Sequence, residues 1–274
     1  MKLRTVKAVP QLPVRARDSH KGSCGTVLVV AGSQDMPGAA ILCARGALRG
    51  GAGLVRMALP RALQVPLACA VPSATTVARD RTAQLRAAAR EATALVVGPG
   101  LGATAATGRM VRSLLQLERP MVLDADALNV LAPLRAQLPH AHLRVLTPHP
   151  GEMARLLGTT SARVQADRPG AALALQQASG SVVVLKGAGT VVTDGARCFT
   201  NRSGNPGMAT GGSGDVLAGL LGALLAQGMA PFEAACLAVH VHGCAGDRVA
   251  SRLSEAGLCA EDLVEAIAVE LGRR

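Results

Sequence analysis

Residues 204–215 read GNPGMATGGSGD and run directly into the apolar stretch VLAGLLGALLA. Successive glycines let backbone N–H groups converge, and a following helix adds its positive end. The segment therefore suits a phosphate or a developing oxyanion. Asp215 falls in the first turn of that helix. A carboxylate there either complements the helix dipole or acts as a general base, and the glycine run before it favours the base. The segment is neither a Walker A loop, since no GK[ST] follows, nor a GxGxxG fingerprint after a strand. A carboxylate beside an anion site is costly unless it does chemistry or holds a metal. That counts against a non-catalytic nucleotide sensor.

Other polar clusters follow short apolar runs. KGAGT (Lys186, Gly187, Ala188, Gly189, Thr190) ends the run VVVL, where a lysine and a glycine turn suit a nucleotide phosphate. Lysine is scarce in this arginine-rich chain, occurring only at Lys2, Lys7, Lys21 and Lys186, so a retained lysine suggests a need for a compact point charge. In TPHPGE (147–152) two prolines rigidify the backbone around His149, which either contacts substrate or is structural. Asp124 and Asp126, in DADALN, position Mg²⁺ or substrate hydroxyls, or Asp126 caps a helix. His140/His142 and His240/His242 have HxH spacing, but residues two apart on a helix face apart. No metal ligand is assigned. HKG (20–22) precedes the first strand. After it, small residues Gly38, Ala39 and Ala40 would let a ligand approach a helix start.

These segments need a frame that brings them together. Strands are expected at 26–31, 54–59, 94–97, 121–124, 145–146 and 182–185, and a hairpin at 190–193 and 197–200 around Asp194-Gly195. Helices are expected at 37–49, 104–117, after Pro150, and at 163–179, 212–226, 231–249 and 260–271. Continuous Val/Leu/Ala strands alternating with helices imply a parallel sheet covered on both faces. Ligands then sit beyond the carboxyl ends of the strands, where the segments at 98–102, 124–126, 147–152 and 186–190 lie.

Composition narrows the function classes. The chain has 274 residues, 49% hydrophobic but only 1% aromatic, with no Trp and no Tyr. Its core must be Ala, Val and Leu, and it lacks stacking platforms for single-stranded nucleic acid. The net charge of +11 comes from scattered arginines without a compact basic run, which fits anionic small molecules better than nucleic acid. Seven cysteines without CxxC spacing imply neither a disulfide framework nor a zinc site. The start has no apolar h-region and no stretch is long enough to span a membrane. The expected location is the reducing cytoplasm.

Together HKGSCGTVLVVAGSQDMPGAA, VVGPGLG, VLDADALNVL, LTPHPGE, VLKGAGTVVTDG and NPGMATGGSGDVLAGLL resemble the ADP-dependent NAD(P)H-hydrate dehydratases, in the right order from about His20 to about Asp247. GGSGD alone indicates only the ribokinase-like superfamily; HKG with TPHPGE points to the dehydratase branch. The resemblance implies a ribokinase-like three-layer α/β/α fold with a mostly parallel central sheet. It implies dehydration of the S epimer of NADHX or NADPHX while ADP goes to AMP and phosphate. It further implies that Asp215 is the base and that Gly211, Gly212, Ser213 and Gly214 form the anion hole. Lys186–Thr190 with Gly214 would hold the AMP moiety, and Ala40, Gly100, His149 and Asp215 would contact the hydrated dinucleotide. Mg²⁺ is expected with the nucleotide, and a homotetramer as the assembly. Residues 1–19 read as an N-terminal extension and 20–274 as one domain. The N-terminal epimerase domain of many bacterial members is not expected. The rival is an ATP-dependent hydroxymethylpyrimidine or thiazole kinase of the same superfamily.

Overall fold

The computed structural model describes residues 3–273. Its strands are β1 (Arg4–Val6), β2 (Thr26–Val30), β3 (Leu54–Leu59), β4 (Thr75–Ala78), β5 (Ala94–Val97), β6 (Met121–Leu123), β7 (Arg144–Leu146), β8 (Val182–Leu185), β9 (Val191–Thr193) and β10 (Arg197–Thr200). Its helices are α1 (Pro37–Arg49), α2 (Arg61–Ala70), α3 (Thr82–Glu91), α4 (Ala105–Leu114), α5 (Asp126–Asn129), α6 (Pro150–Leu157), α7 (Ser161–Ala166), α8 (Arg168–Ser179), α9 (Ser213–Ala226), α10 (Pro231–Arg252) and α11 (Ala260–Leu271).

The strands form one sheet in the order β1-β10-β9-β8-β7-β6-β5-β2-β3-β4. From β8 to β4 every neighbouring pair is parallel, and β9 alone runs against both its neighbours. Alternate residues of each central strand enter different cores, because successive strand side chains point to opposite faces. Val27, Val29, Val96 and Val122 pack toward α1, α9, α10 and α11. Leu28, Val30, Leu95 and Leu123 pack toward the helices from α3 to α8. Both faces are apolar because both are covered, and the three-layer, mostly parallel fold is as expected.

Helix α9 is buried along almost its whole length, from Val216 to Ala226. An all-round apolar helix can sit only between other elements. It packs on α1, α10, α11 and the strands β2, β5 and β6. This burial fixes the direction in which its N-terminus, carrying Asp215, points.

Three expectations change. The helix expected over 163–179 is two helices, α7 and α8. Asp167 breaks it, its carboxylate accepting the Gly170 N–H at 2.9 Å as the cap of α8, while Pro169 fits the first turn of a new helix. The stretch between β3 and β5, left without elements, holds α2, β4 and α3. Residues 1–19 include β1, which joins the sheet edge beside β10, with Val9 and Leu12 packed on the core. Among the described residues no helix is long and apolar enough to cross a membrane.

Candidate active site

The centre of the site is a lysine among carboxylates. β8 ends at Leu185, so Lys186 emerges at the carboxyl edge of the sheet, and its Nζ donates to Asp124 Oδ1 at 2.6 Å. Asp124 follows β6 in the same way and is buried, and its Oδ1 also accepts the Thr147 hydroxyl at 2.8 Å. Glu152 Oε2 lies 4.0 Å from Lys186 Nζ. Three consecutive strand ends of a parallel sheet thus supply Asp124, Thr147 and Lys186. From the sequence, Lys186 is expected in a nucleotide loop, and Asp124 is open between Mg²⁺ and substrate hydroxyls. The structure joins them across 62 residues, a pairing that spacing along the chain does not reveal.

Helix α9 brings the second half. Gly212 caps it in the left-handed region, φ 89°, and a side chain there would overlap Leu42. Beyond it, the N–H groups of Gly214 and Asp215 find no protein acceptor among the described residues, as helix N-termini leave them. The Ser213 N–H leans on the Thr210 carbonyl at 3.4 Å. Lys186 Nζ lies 3.3 Å from where a Gly214 side chain would begin, so the ammonium and the free N–H groups share one space. His242, buried on α10, has Nε2 3.0 Å from the Ser213 carbonyl. A carbonyl only accepts, so that nitrogen carries a proton and donates. The HxH spacing argues only against a metal site at His242 and carries no sign of this contact with α9.

The electrostatics follow from the crowding. Burial, then the charge of Asp124, raises the Asp215 carboxyl from 3.8 to about 7, despite the opposing Lys186. Glu152 is raised, by burial first. Lys186 is raised although burial, the largest influence, pulls it down; the two carboxylates win. Burial lowers His242 to about 4, so it is neutral at neutral pH. A carboxyl tuned to about 7 beside a lysine and free N–H groups has the chemistry that a general base facing an anion site requires.

The remaining predicted residues fall around this centre. His149 is the N-cap of α6, its Nδ1 accepting the Gly151 N–H at 3.0 Å while Glu152 accepts the His149 N–H at 2.8 Å. Half of its side chain stays exposed, 3.4 Å from Glu152 through Nε2. Burial, Lys186 and Arg155 hold the imidazole below its usual value. Gly100, φ 61°, abuts the start of α1, where a side chain would meet Ala39 at 2.7 Å. Ala40 is buried just behind. Gly187, Ala188, Gly189 and Thr190 form the turn from β8 to β9, closed by the Thr190 hydroxyl on the Gly187 carbonyl at 2.9 Å. Gly211 is exposed, with open space around its α-carbon. Asp126 accepts the Gly102 N–H at 2.8 Å and ties the 98–102 loop to the β6 end. Asp247 holds the entrance of the glycine segment through the Gly204 N–H at 2.9 Å and the Asn205 amide at 3.1 Å. Among the described residues no three His, Cys, Asp or Glu groups gather as a metal site.

Known proteins resemble this chain in sequence and fold. The sequence profile of the NAD(P)H-hydrate dehydratases matches residues 27–268. The ADP-dependent (S)-NAD(P)H-hydrate dehydratase of Neisseria meningitidis is 44% identical over 259 residues, covering 92% of this chain and 86% of its own. The ADP/ATP-dependent NAD(P)H-hydrate dehydratase of Bacillus subtilis, co-crystallised with ATP and Mg²⁺, has a TM-score of 0.86 at 32% identity, over 96% of this chain and 94% of that one. A ribokinase-like superfamily protein from Enterococcus faecalis gives 0.88 at 28% identity, over 96% and 92%. The chain spans about half the length of the bifunctional NAD(P)H-hydrate repair enzymes that it also matches. With the profile matched from β2 into α11 and the fold shared nearly end to end, this chain belongs to the NAD(P)H-hydrate dehydratase family, within the ribokinase-like superfamily.

Proposed function

We propose that the protein dehydrates the S epimer of NADHX and NADPHX, coupled to conversion of ADP to AMP and phosphate. The observation that carries this is Asp215, raised to about 7, beside the free N–H groups of α9 and the Lys186 ammonium. The hydroxyl of the hydrated ring is a poor leaving group. Asp215 takes its proton as its oxygen attacks the terminal phosphorus of ADP, and AMP leaves. The Gly214 and Asp215 N–H groups and Lys186 meet the charge on the transferring phosphoryl group. The phosphate ester then eliminates: the ring C–O bond breaks, a ring proton is lost, and the double bond of the dihydronicotinamide returns.

In this reading Gly211, Gly212, Ser213 and Gly214 form the anion hole, and Gly187, Ala188, Gly189 and Thr190 hold the AMP moiety beside Lys186. Ala40, Gly100 and His149 bound the ring pocket. Mg²⁺ would enter on the nucleotide phosphates with much of its water shell. Asp124 and Glu152 would take that shell, and the ion would neutralise phosphate charge. A cytoplasmic homotetramer and a single domain, to whose sheet β1 also belongs, complete the reading.

The test is to mix the protein with NADHX, Mg²⁺ and either ADP or ATP and follow the near-UV absorbance of NADH. Its return with ADP is expected. No NADH with either nucleotide, together with ATP-dependent phosphorylation of a thiazole or hydroxymethylpyrimidine alcohol, would establish the kinase instead.

A further inference from the structure

Beside the ring pocket, α3 and α4 leave a groove of about 530 Å³, within the usual range for a small-molecule site. Its floor includes Leu85, Leu101 and Leu114, all buried. Arg79, Arg86 and Arg109 line it, with Asp80 as the acidic residue among them. Neither Arg86 nor Arg109 joins an ion pair among the described residues. Arg86 rests on the Ser113 hydroxyl, at 2.9 Å from Nη2 and 3.3 Å from Nε. The groove thus joins an apolar floor to guanidinium groups without carboxylate partners.

Its inner end shares a wall with the ring pocket. Leu101 directly follows Gly100. Arg79 Nη1 donates to the carbonyls of Ala31 at 3.0 Å and Gly32 at 2.6 Å. The Gly32 N–H in turn reaches the Pro99 carbonyl at 2.8 Å. This geometry suits a ligand whose reactive end lies at Gly100 and Asp215 and whose other end is anionic with an apolar body.

We propose that this groove receives the adenosine-phosphate half of the hydrated dinucleotide, an inference that rests on the dehydratase reading. The leucine floor takes the purine and ribose, since the chain has no Trp or Tyr to stack on them. Arg86 and Arg109 take phosphate oxygens, for which the planar guanidinium fork is suited. The 2′-phosphate of NADPHX adds charge where these arginines lie, so the groove favours NADPHX over NADHX.

The experiment compares the parent with R86E/R109E and with the neutral variant Arg109→Gln, each checked for an unchanged melting temperature. With saturating ADP, the KM for NADPHX is expected to rise roughly ten- to a hundredfold in R86E/R109E, in line with loss of charge-assisted contacts. The KM for NADHX should rise less, with the loss carried by KM rather than kcat. Arg109→Gln should show a smaller rise of the same kind. A second arm measures calorimetric binding of adenosine 2′,5′-bisphosphate to the full chain saturated with ADP. Binding to the parent and its loss in R86E/R109E are expected. Unchanged KM values for both substrates, or equal binding of the bisphosphate, would overturn the groove assignment while leaving the dehydratase reading intact. A parent that forms no NADPH defeats the dehydratase reading, and with it the substrate assigned to the groove; the calorimetric arm then still decides whether the groove binds an adenosine phosphate.

Discussion

Asp215→Asn should stabilise the protein while abolishing turnover. A carboxyl at about 7 in the folded chain against 3.8 in the unfolded one is held in a state the fold disfavours. The folded form binds the proton more tightly, so ionisation costs folding free energy as pH rises. That cost is absent below about pH 4, grows between the two values, and is full above about pH 7. At ~1.4 kcal/mol per pH unit the gap corresponds to ~4 kcal/mol. Solvent contact at the site screens part of it, leaving roughly 2–4 kcal/mol. Asparagine keeps the shape and removes the charge, and relieves Asp124 and Glu152 of a like neighbour. Denaturant midpoints of parent and variant across the pH range measure the difference. For a chain of this size the variant should also melt roughly 3–7 °C higher at pH 8. The stability gap should close near pH 4. A variant equally stable at every pH, or less stable at pH 8, would refute the burial and charge crowding assigned to Asp215.

Three further predictions follow from the same cluster. The acid limb of kcat/KM should fall off below about pH 7 as Asp215 is protonated, and Asp124→Asn should move it to lower pH by removing the neighbouring charge; a limb that stays put would separate the two residues. Lys186→Met leaves Asp124 buried without its cation and should cost about 3–5 kcal/mol at neutral pH, read from denaturant midpoints; a change of under ~1 kcal/mol would mean that the pair is idle. His242→Asn should lower kcat several-fold by releasing the Ser213 carbonyl, with the pH profile keeping its shape through the neutral range, because His242 is already uncharged there; a shifted profile would make it a proton carrier instead.

Much of the frame was legible. The bounds of α1, α11, β3, β5, β8 and β10 match the expected ones, because continuous apolar runs ending at Gly, Pro or a polar cluster mark buried elements sharply. The segment from α2 to α3 was not legible. Pro66 lies inside α2 and reads as a break, and β4 is a four-residue edge strand with little apolar signal. β1 is shorter still and is defined by its partner, β10. Asp215 stood out as a candidate because glycines crowd before it. The pair of buried Asp124 and half-buried Lys186 was not, since only the order of strands β6, β7 and β8 brings residues so far apart in the chain together. Scarcity of lysine hinted that Lys186 mattered, and the structure shows with what it pairs. His242 left no trace beyond its helix, because its role depends on how α10 crosses the start of α9.

The most direct test of phosphorylation followed by elimination traces the ring oxygen. NADHX prepared in heavy-oxygen water carries the label in its ring hydroxyl. If Asp215 activates that hydroxyl toward ADP, the oxygen bonds to phosphorus and leaves the ring with it. One labelled oxygen is expected in each released inorganic phosphate, in step with NADH and AMP. Label recovered in water, with unlabelled phosphate, would contradict it.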